Sequence, residues 1–111
     1  MIDYSPTLVS ELNTILPVYL EPLGTKKDTP CITYSEISNI DSLMGSCLNY
    51  SEISYQLKIW GKSLKEINNK AILIDSKMKE LGFRRTFSLD AEEEGLKNKI
   101  LRYNAIAFER R

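Results

Sequence analysis

An α+β domain, two helices on one face of a mostly antiparallel sheet of about five strands, is predicted by three features of this sequence. The first is strict alternation. From Ile53 to Trp60, Ile53, Tyr55, Leu57 and Ile59 share one side of an extended chain, while Ser54, Gln56, Lys58 and Trp60 take the other. The second is a change of period after Gly61, where Leu64, Ile67, Ala71, Ile74, Met78 and Leu81 recur every three or four residues and form one stripe of a helix. The third is the order of such patterns along the chain: helix, three strands, helix, two strands, with several turns short enough for antiparallel neighbours.

Taken in order, Ser5 and Pro6 suit a helix cap followed by proline in the first helical position. Leu8, Leu12, Ile15 and Leu16 fall on one face with Val9 beside them, and Pro17 ends the helix near Leu16. Val18 to Glu21 is a short strand, and Pro22 to Pro30 has the glycine, proline and charge of an exposed turn. Cys31 to Ile37 is rich in β-branched and aromatic residues, with Ile32 and Tyr34 on one side and Cys31, Thr33 and Ile37 on the other. From Ser38 to Asn49 the pattern lapses, and the expectation is a long loop. Its apolar residues Leu43, Met44 and Leu48 either fold over the core, extend the flanking strands, or meet a partner chain.

The central helix has marked ends. Ser63 and Glu66 fit a capping box, and Gly82 suits a left-handed stop after Leu81. Arg84 to Leu89 alternates again, with Arg85, Phe87 and Leu89 on one side. Asp90 to Asn98 is polar and is expected to be a hairpin tip. The last strand, Lys99 to Phe108, is apolar on both sides: Ile100, Ile106 and Phe108 oppose Leu101, Tyr103, Ala105 and Ala107. Such two-sided character belongs to a central strand or to one covered by a subunit.

The 111 residues, 42% hydrophobic, suffice for one core, so residues 1–111 are expected to form a single domain. Fifteen basic and fifteen acidic side chains cancel, which removes the strong positive field expected of nucleic-acid or anionic-membrane binding. No apolar run is long enough to span a bilayer, and the first residues lack a signal-peptide layout; a cytosolic chain is expected, with Cys31 and Cys47 as reduced, buried or half-buried thiols and a disulfide between them as the alternative. Histidine is absent, and with it the commonest general base and neutral metal ligand. Two cysteines sixteen apart fit no zinc pattern, and no glycine-rich phosphate loop follows a strand. No catalytic residue, metal ligand or cofactor is therefore assigned. Glu92, Glu93 and Glu94 are expected to be a solvated acidic tip, with a divalent-metal site as the alternative. Trp60 either covers the sheet or anchors an interface.

Four segments, PCITYSEI, LNYSEISYQLKIWGKSLKEI, MKELGFRRTFS and ILRYNAIAFER, together resemble the small tail-completion or tail-terminator proteins of long-tailed bacteriophages and Gram-positive prophages. The resemblance runs from Pro30 to Arg110. It implies a non-enzymatic structural protein of the virion tail, assembled in the host cytoplasm as a homo-oligomeric ring, a hexamer. That ring would cap the tail tube protein and join it to the head connector or stopper protein. Tyr34 and the strand Tyr55 to Trp60 match core positions of the family, whereas Ser38 to Asn49 and Asp90 to Asn98 correspond to loops that in such rings contact neighbours or the tube. Leu43, Met44, Leu48, Tyr50, Trp60, Glu92, Glu93 and Glu94 are accordingly the candidate partner contacts. A second class stays open, a regulatory α+β module binding a small ligand or peptide, suggested by aromatics such as Tyr50 and Trp60.

Overall fold

The computed structural model describes residues 3–20, 30–44, 48–93 and 95–110, and of residues 41–50, 93 and 107–110 the backbone alone. The elements are α1 (Ser5–Leu12), β1 (Val18–Leu20), β2 (Cys31–Met44), β3 (Leu48–Gly61), α2 (Leu64–Glu80), β4 (Arg84–Glu93) and β5 (Leu96–Arg110). The strands form one sheet in the order β1-β2-β3-β5-β4, antiparallel throughout except for the short parallel pair β1 and β2. The fold is α+β, as the periodicities predict. The turn Pro22 to Pro30 lies, but for Pro30, outside the described residues, as does Cys47; Cys31 is buried.

Both helices lie on one face because their apolar stripes have only that face to cover. Leu8 and Leu12 of α1, Leu16 beyond it, and Ile67, Ala71, Ile74 and Met78 of α2 form a single cluster with Ile32, Ile53, Tyr55, Leu57, Ile59, Leu101 and Tyr103 of the sheet. Every one of the expected inward residues of β3 is in that cluster. Leu64 is the member of the α2 stripe that escapes it, 40% exposed in the first turn. Gly61 sits where β3 turns into α2, and a Cβ there would lie 2.9 Å from Cγ1 of Ile67, so the helix packs down only because that side chain is missing.

The α2 termini follow the expected chemistry. The Ser63 hydroxyl accepts from the Glu66 N–H at 3.4 Å. At the other end Gly82 has φ +92°, its N–H donates to the Lys79 carbonyl and the Phe83 N–H to the Met78 carbonyl, which satisfies two carbonyls the helix leaves free. The start of α1 differs from expectation. Tyr4, not Ser5, is the capping position, and the helix ends at Leu12, with a turn carrying Leu16 into the core. Ser5 is drawn inside the first turn by another attachment: its hydroxyl lies 3.0 Å from that of Tyr55, and the Asp3 carboxylate accepts from its N–H.

Three expectations about strands are corrected. Ser38 to Asn49 is not a long loop: β2 runs on to Met44 and β3 begins at Leu48, paired row by row from Ser38↔Ser54 to Met44↔Leu48. Asp90 to Asn98 is not a polar tip, since β4 continues to Glu93 and β5 starts at Leu96. Opposite charges face each other across that ladder, Asp90 with Lys99 and Glu92 with Lys97, and such pairs stabilise a sheet that apolar counting overlooks. Finally, the register shifts between Arg85 and Phe87. The extra residue of a bulge changes sides, so Arg85 faces α2 while Phe87 and Leu89 face away, contrary to the strict alternation.

The last strand lies inside the sheet, between β3 and β4, as its two-sided apolar character requires. The outcome is an elongated molecule of 51 × 24 × 23 Å. The apolar cluster ends near the row where Ile53 meets Ala105. Beyond it β2, β3 and β5 project as a three-stranded arm, from the row Ile40–Glu52–Ile106 to the row Met44–Leu48–Arg110.

Candidate functional site

The arm divides the expected contact residues into two groups. Leu43, Met44, Leu48 and Tyr50 lie together on the backbone of its distal rows, at the β2–β3 hairpin. Trp60 lies at the opposite end of β3, twelve residues from Leu48, a separation on the order of 40 Å along a strand. Glu92 is exposed on β4 near that same end, Glu93 is in the strand, and Glu94 is outside the described residues. These eight residues therefore do not form one surface.

Trp60 is on the sheet face away from the helices, as its alternation predicts, yet it is only 5% exposed. Its indole N–H donates to the Thr33 hydroxyl at 2.9 Å, and the Lys58 ammonium stands 5.7 Å from the ring centroid. A side chain held in this way covers the sheet and has little area left for a partner. Beside it, Asn98 is fully buried, paired in register between Trp60 and Ala91, and among the described residues neither its Nδ2 nor its Oδ1 has a hydrogen-bond partner. A buried amide without partners loses its hydration for nothing in return. Asn98→Val is therefore expected to raise stability, by about 1 kcal/mol or more, read as an upward shift of the thermal midpoint.

Toward the arm the same face opens. Gln56 accepts from the Arg102 Nε–H at 2.9 Å and Glu52 from the Asn104 amide at 3.1 Å, giving a cross-strand polar ladder. Around it lie exposed apolar side chains: Ile40 and Ile106 at 57%, Leu89 at 50%, and Phe87 at 38% beneath the Arg102 guanidinium. Both outer strands of the arm have edges with no described partner. Among the described residues, no strand pairs with β2 beyond Tyr34 on its outer side, where β1 stops, and none with β5 beyond Asn104, where β4 begins. Unpaired strand edges with apolar neighbours are templates for further pairing.

On the helix face a cleft of about 450 Å³ separates α2 from β4, with Ala71 and Leu101 at its floor and Asp75, Lys79, Arg85 and Lys99 on its walls. Its charges are matched internally: Asp75 accepts from the Tyr103 hydroxyl at 2.8 Å and lies 3.1 Å from Lys79 and 3.8 Å from Arg85, while Lys99 pairs with Asp90 at 2.6 Å. Burial works to raise the Asp75 carboxyl, but the hydrogen bonds from Tyr103 and Lys79 and the charges of Arg85 and Lys79 outweigh it and hold it below its ordinary 3.8. Burial, then the bond to Asp75, pushes the Tyr103 phenol well above its ordinary 10.0. A depressed carboxyl contributes stability that is complete above the unfolded value and lost as pH falls through the folded one. A raised phenol contributes stability that is complete below about pH 10 and lost as pH rises beyond it. Asp75→Asn is expected to cost about 1–3 kcal/mol at neutral pH and to flatten the fall in stability below pH 4, as followed by urea midpoints across pH.

Among the described residues no group of three His, Cys, Asp or Glu is placed to hold a metal ion, and no helix is long and apolar enough to cross a membrane. No family model matches the sequence, and no curated protein matches it. What marks the site is the arm's own structure: an exposed isoleucine on each outer strand, at one level of the sheet. Neither Ile40 nor Ile106 stands out in the sequence as a contact residue: Ile40 falls in the expected loop and Ile106 at an ordinary strand position, and only the topology reveals the edges they share.

Proposed function

We propose that this chain is a non-enzymatic virion structural protein, a tail completion or terminator protein that assembles as a ring, caps the tail tube and joins it to the head connector. The observation that carries this reading is the three-stranded arm, which among the described residues is unpaired at both edges and bears exposed apolar side chains where an isolated soluble domain would blunt them. A ring needs one patch on each copy to meet a different patch on the next, and an arm with two unlike edges offers such a pair. The resemblance from Pro30 to Arg110 supplies the biological setting. Zero formal net charge limits repulsion between copies.

The helix-face cleft favours a second reading, a module that binds a small ligand or peptide between α2 and β4. A charged ligand there has to displace the ion pairs of Asp75 and Lys99 before gaining contacts of its own, which weighs toward the assembly reading. Light scattering of the purified chain, alone and with tail tube or connector protein, separates the two. Ring-sized particles or a stable complex is the expected result. A monomer at every concentration that engages neither protein would overturn the assignment.

A further inference from the structure

We infer that copies of this chain join edge to edge through the arm, the outer edge of β5 in one copy pairing in parallel with the outer edge of β2 in the next. The inference deepens the ring reading above and rests on it.

The geometry of the rows leads there. β2 and β5 are each antiparallel to β3, so they run in the same direction on opposite sides of it. The stretches that no strand pairs among the described residues also lie at one level. Ile40 and Ile106 both pair with Glu52, and Met44 and Arg110 both pair with Leu48, so the two edges share five consecutive rows. Each copy therefore has one edge of either kind, equal in length and in direction. A rotation axis along the strands brings the β5 edge of one copy beside the β2 edge of its neighbour without reversing either. Backbone donors and acceptors along both edges then find partners, as in strand addition to an exposed sheet edge.

The side chains select the same contact. Ile40 and Ile106 are each 57% exposed and lie in one row with Glu52 between them, whose carboxylate is held by the Asn104 amide. Within a copy the two isoleucines are separated by β3, two strand spacings or roughly 10 Å, too far to shield each other. Across the junction they come within one spacing, roughly 5 Å, and a single contact covers both. A peptide from another protein would cover one edge and leave the other open; a second copy covers one of each, and a closed ring leaves none. Each copy would add three strands to a continuous wall, with β3 in the middle of every set.

Opposite charges introduced at the two positions test this. Ile40→Lys and Ile106→Glu are prepared separately; both sites are exposed, and circular dichroism checks that each variant is folded. Native mass spectrometry or light scattering then follows assembly of wild type, of each variant, and of their equal mixture. The expected result is assembly by wild type, single-chain mass for each variant alone, and recovery of assembly in the mixture, where alternating copies place lysine beside glutamate at one junction and isoleucine beside isoleucine at the next. Assembly of wild type that neither variant disturbs overturns the edge contact and leaves the ring reading standing. Loss of assembly in both variants without recovery in the mixture also overturns it. A wild-type monomer at every concentration overturns the edge contact and the ring together.

Discussion

Tyr55→Ala is expected to lower stability by about 3–5 kcal/mol, the range for truncating a large aromatic in a core. Small domains have only about 5–15 kcal/mol in total, so the variant would lie near the edge of folding at ordinary temperature. The size of the effect comes from position. Tyr55 is fully buried in the middle of β3, its ring stands edge-on to Phe83 at 6.0 Å, and its hydroxyl lies 3.0 Å from that of Ser5. Phe83 in turn meets Tyr4 edge-on at 5.4 Å. One side chain therefore ties the start of α1 and the connection from α2 to β4 onto the sheet. Tyr55→Phe keeps the ring contacts and removes only the hydroxyl, so a loss of about 1 kcal/mol is expected. Urea unfolding of both variants checks the pair, with similar effects from the two substitutions counting against the account.

Trp60→Ala is expected to cost a comparable 3–5 kcal/mol, and here the result also decides between two roles. An interface anchor would be exposed in the free chain, and its removal would leave the fold intact while weakening assembly. The buried ring, with its N–H on Thr33, predicts the reverse: a large drop in thermal midpoint, with any effect on assembly following from it. Trp60→Phe retains most of the apolar area and loses the hydrogen bond, and is expected to fall between. A variant as stable as wild type but unable to assemble would restore the anchor role.

Where the core dictates the residues, the sequence was readable. Ile53, Tyr55, Leu57 and Ile59 alternate because one side of β3 meets the helices, and Ile67, Ala71, Ile74 and Met78 recur at helical spacing for the same reason. Outside the core that signal fades. Ser38 to Asn49 carries Asn39, Asp41, Ser42 and Ser46, typical of loops, yet its described residues, 38–44 and 48–49, lie in strands. Pairing with β3, not burial, holds them there. Bulges escape a fixed period as well, which is why Arg85 was expected beside Phe87 and lies on the other face. Of the candidate contacts, Leu43, Met44 and Leu48 were expected in a loop and, with Tyr50, lie in the paired strands β2 and β3. The pairing of Asp75 with Tyr103, twenty-eight residues apart, and the alignment of Ile40 with Ile106 need the three-dimensional arrangement.

The position of β5 has a kinetic consequence. It is synthesised after both β3 and β4, yet it is inserted between them, so the two earlier strands have no direct ladder and wait for it. Closing β3 onto β5 spans the whole of α2 and β4, a long loop whose entropy must be met before any of those bonds forms. Sheets built on such distant pairings fold on the slow side, in milliseconds to seconds. During translation the nascent chain would thus present the β3 edge unprotected, a state in which crowding and chaperone supply, more than final stability, set the yield.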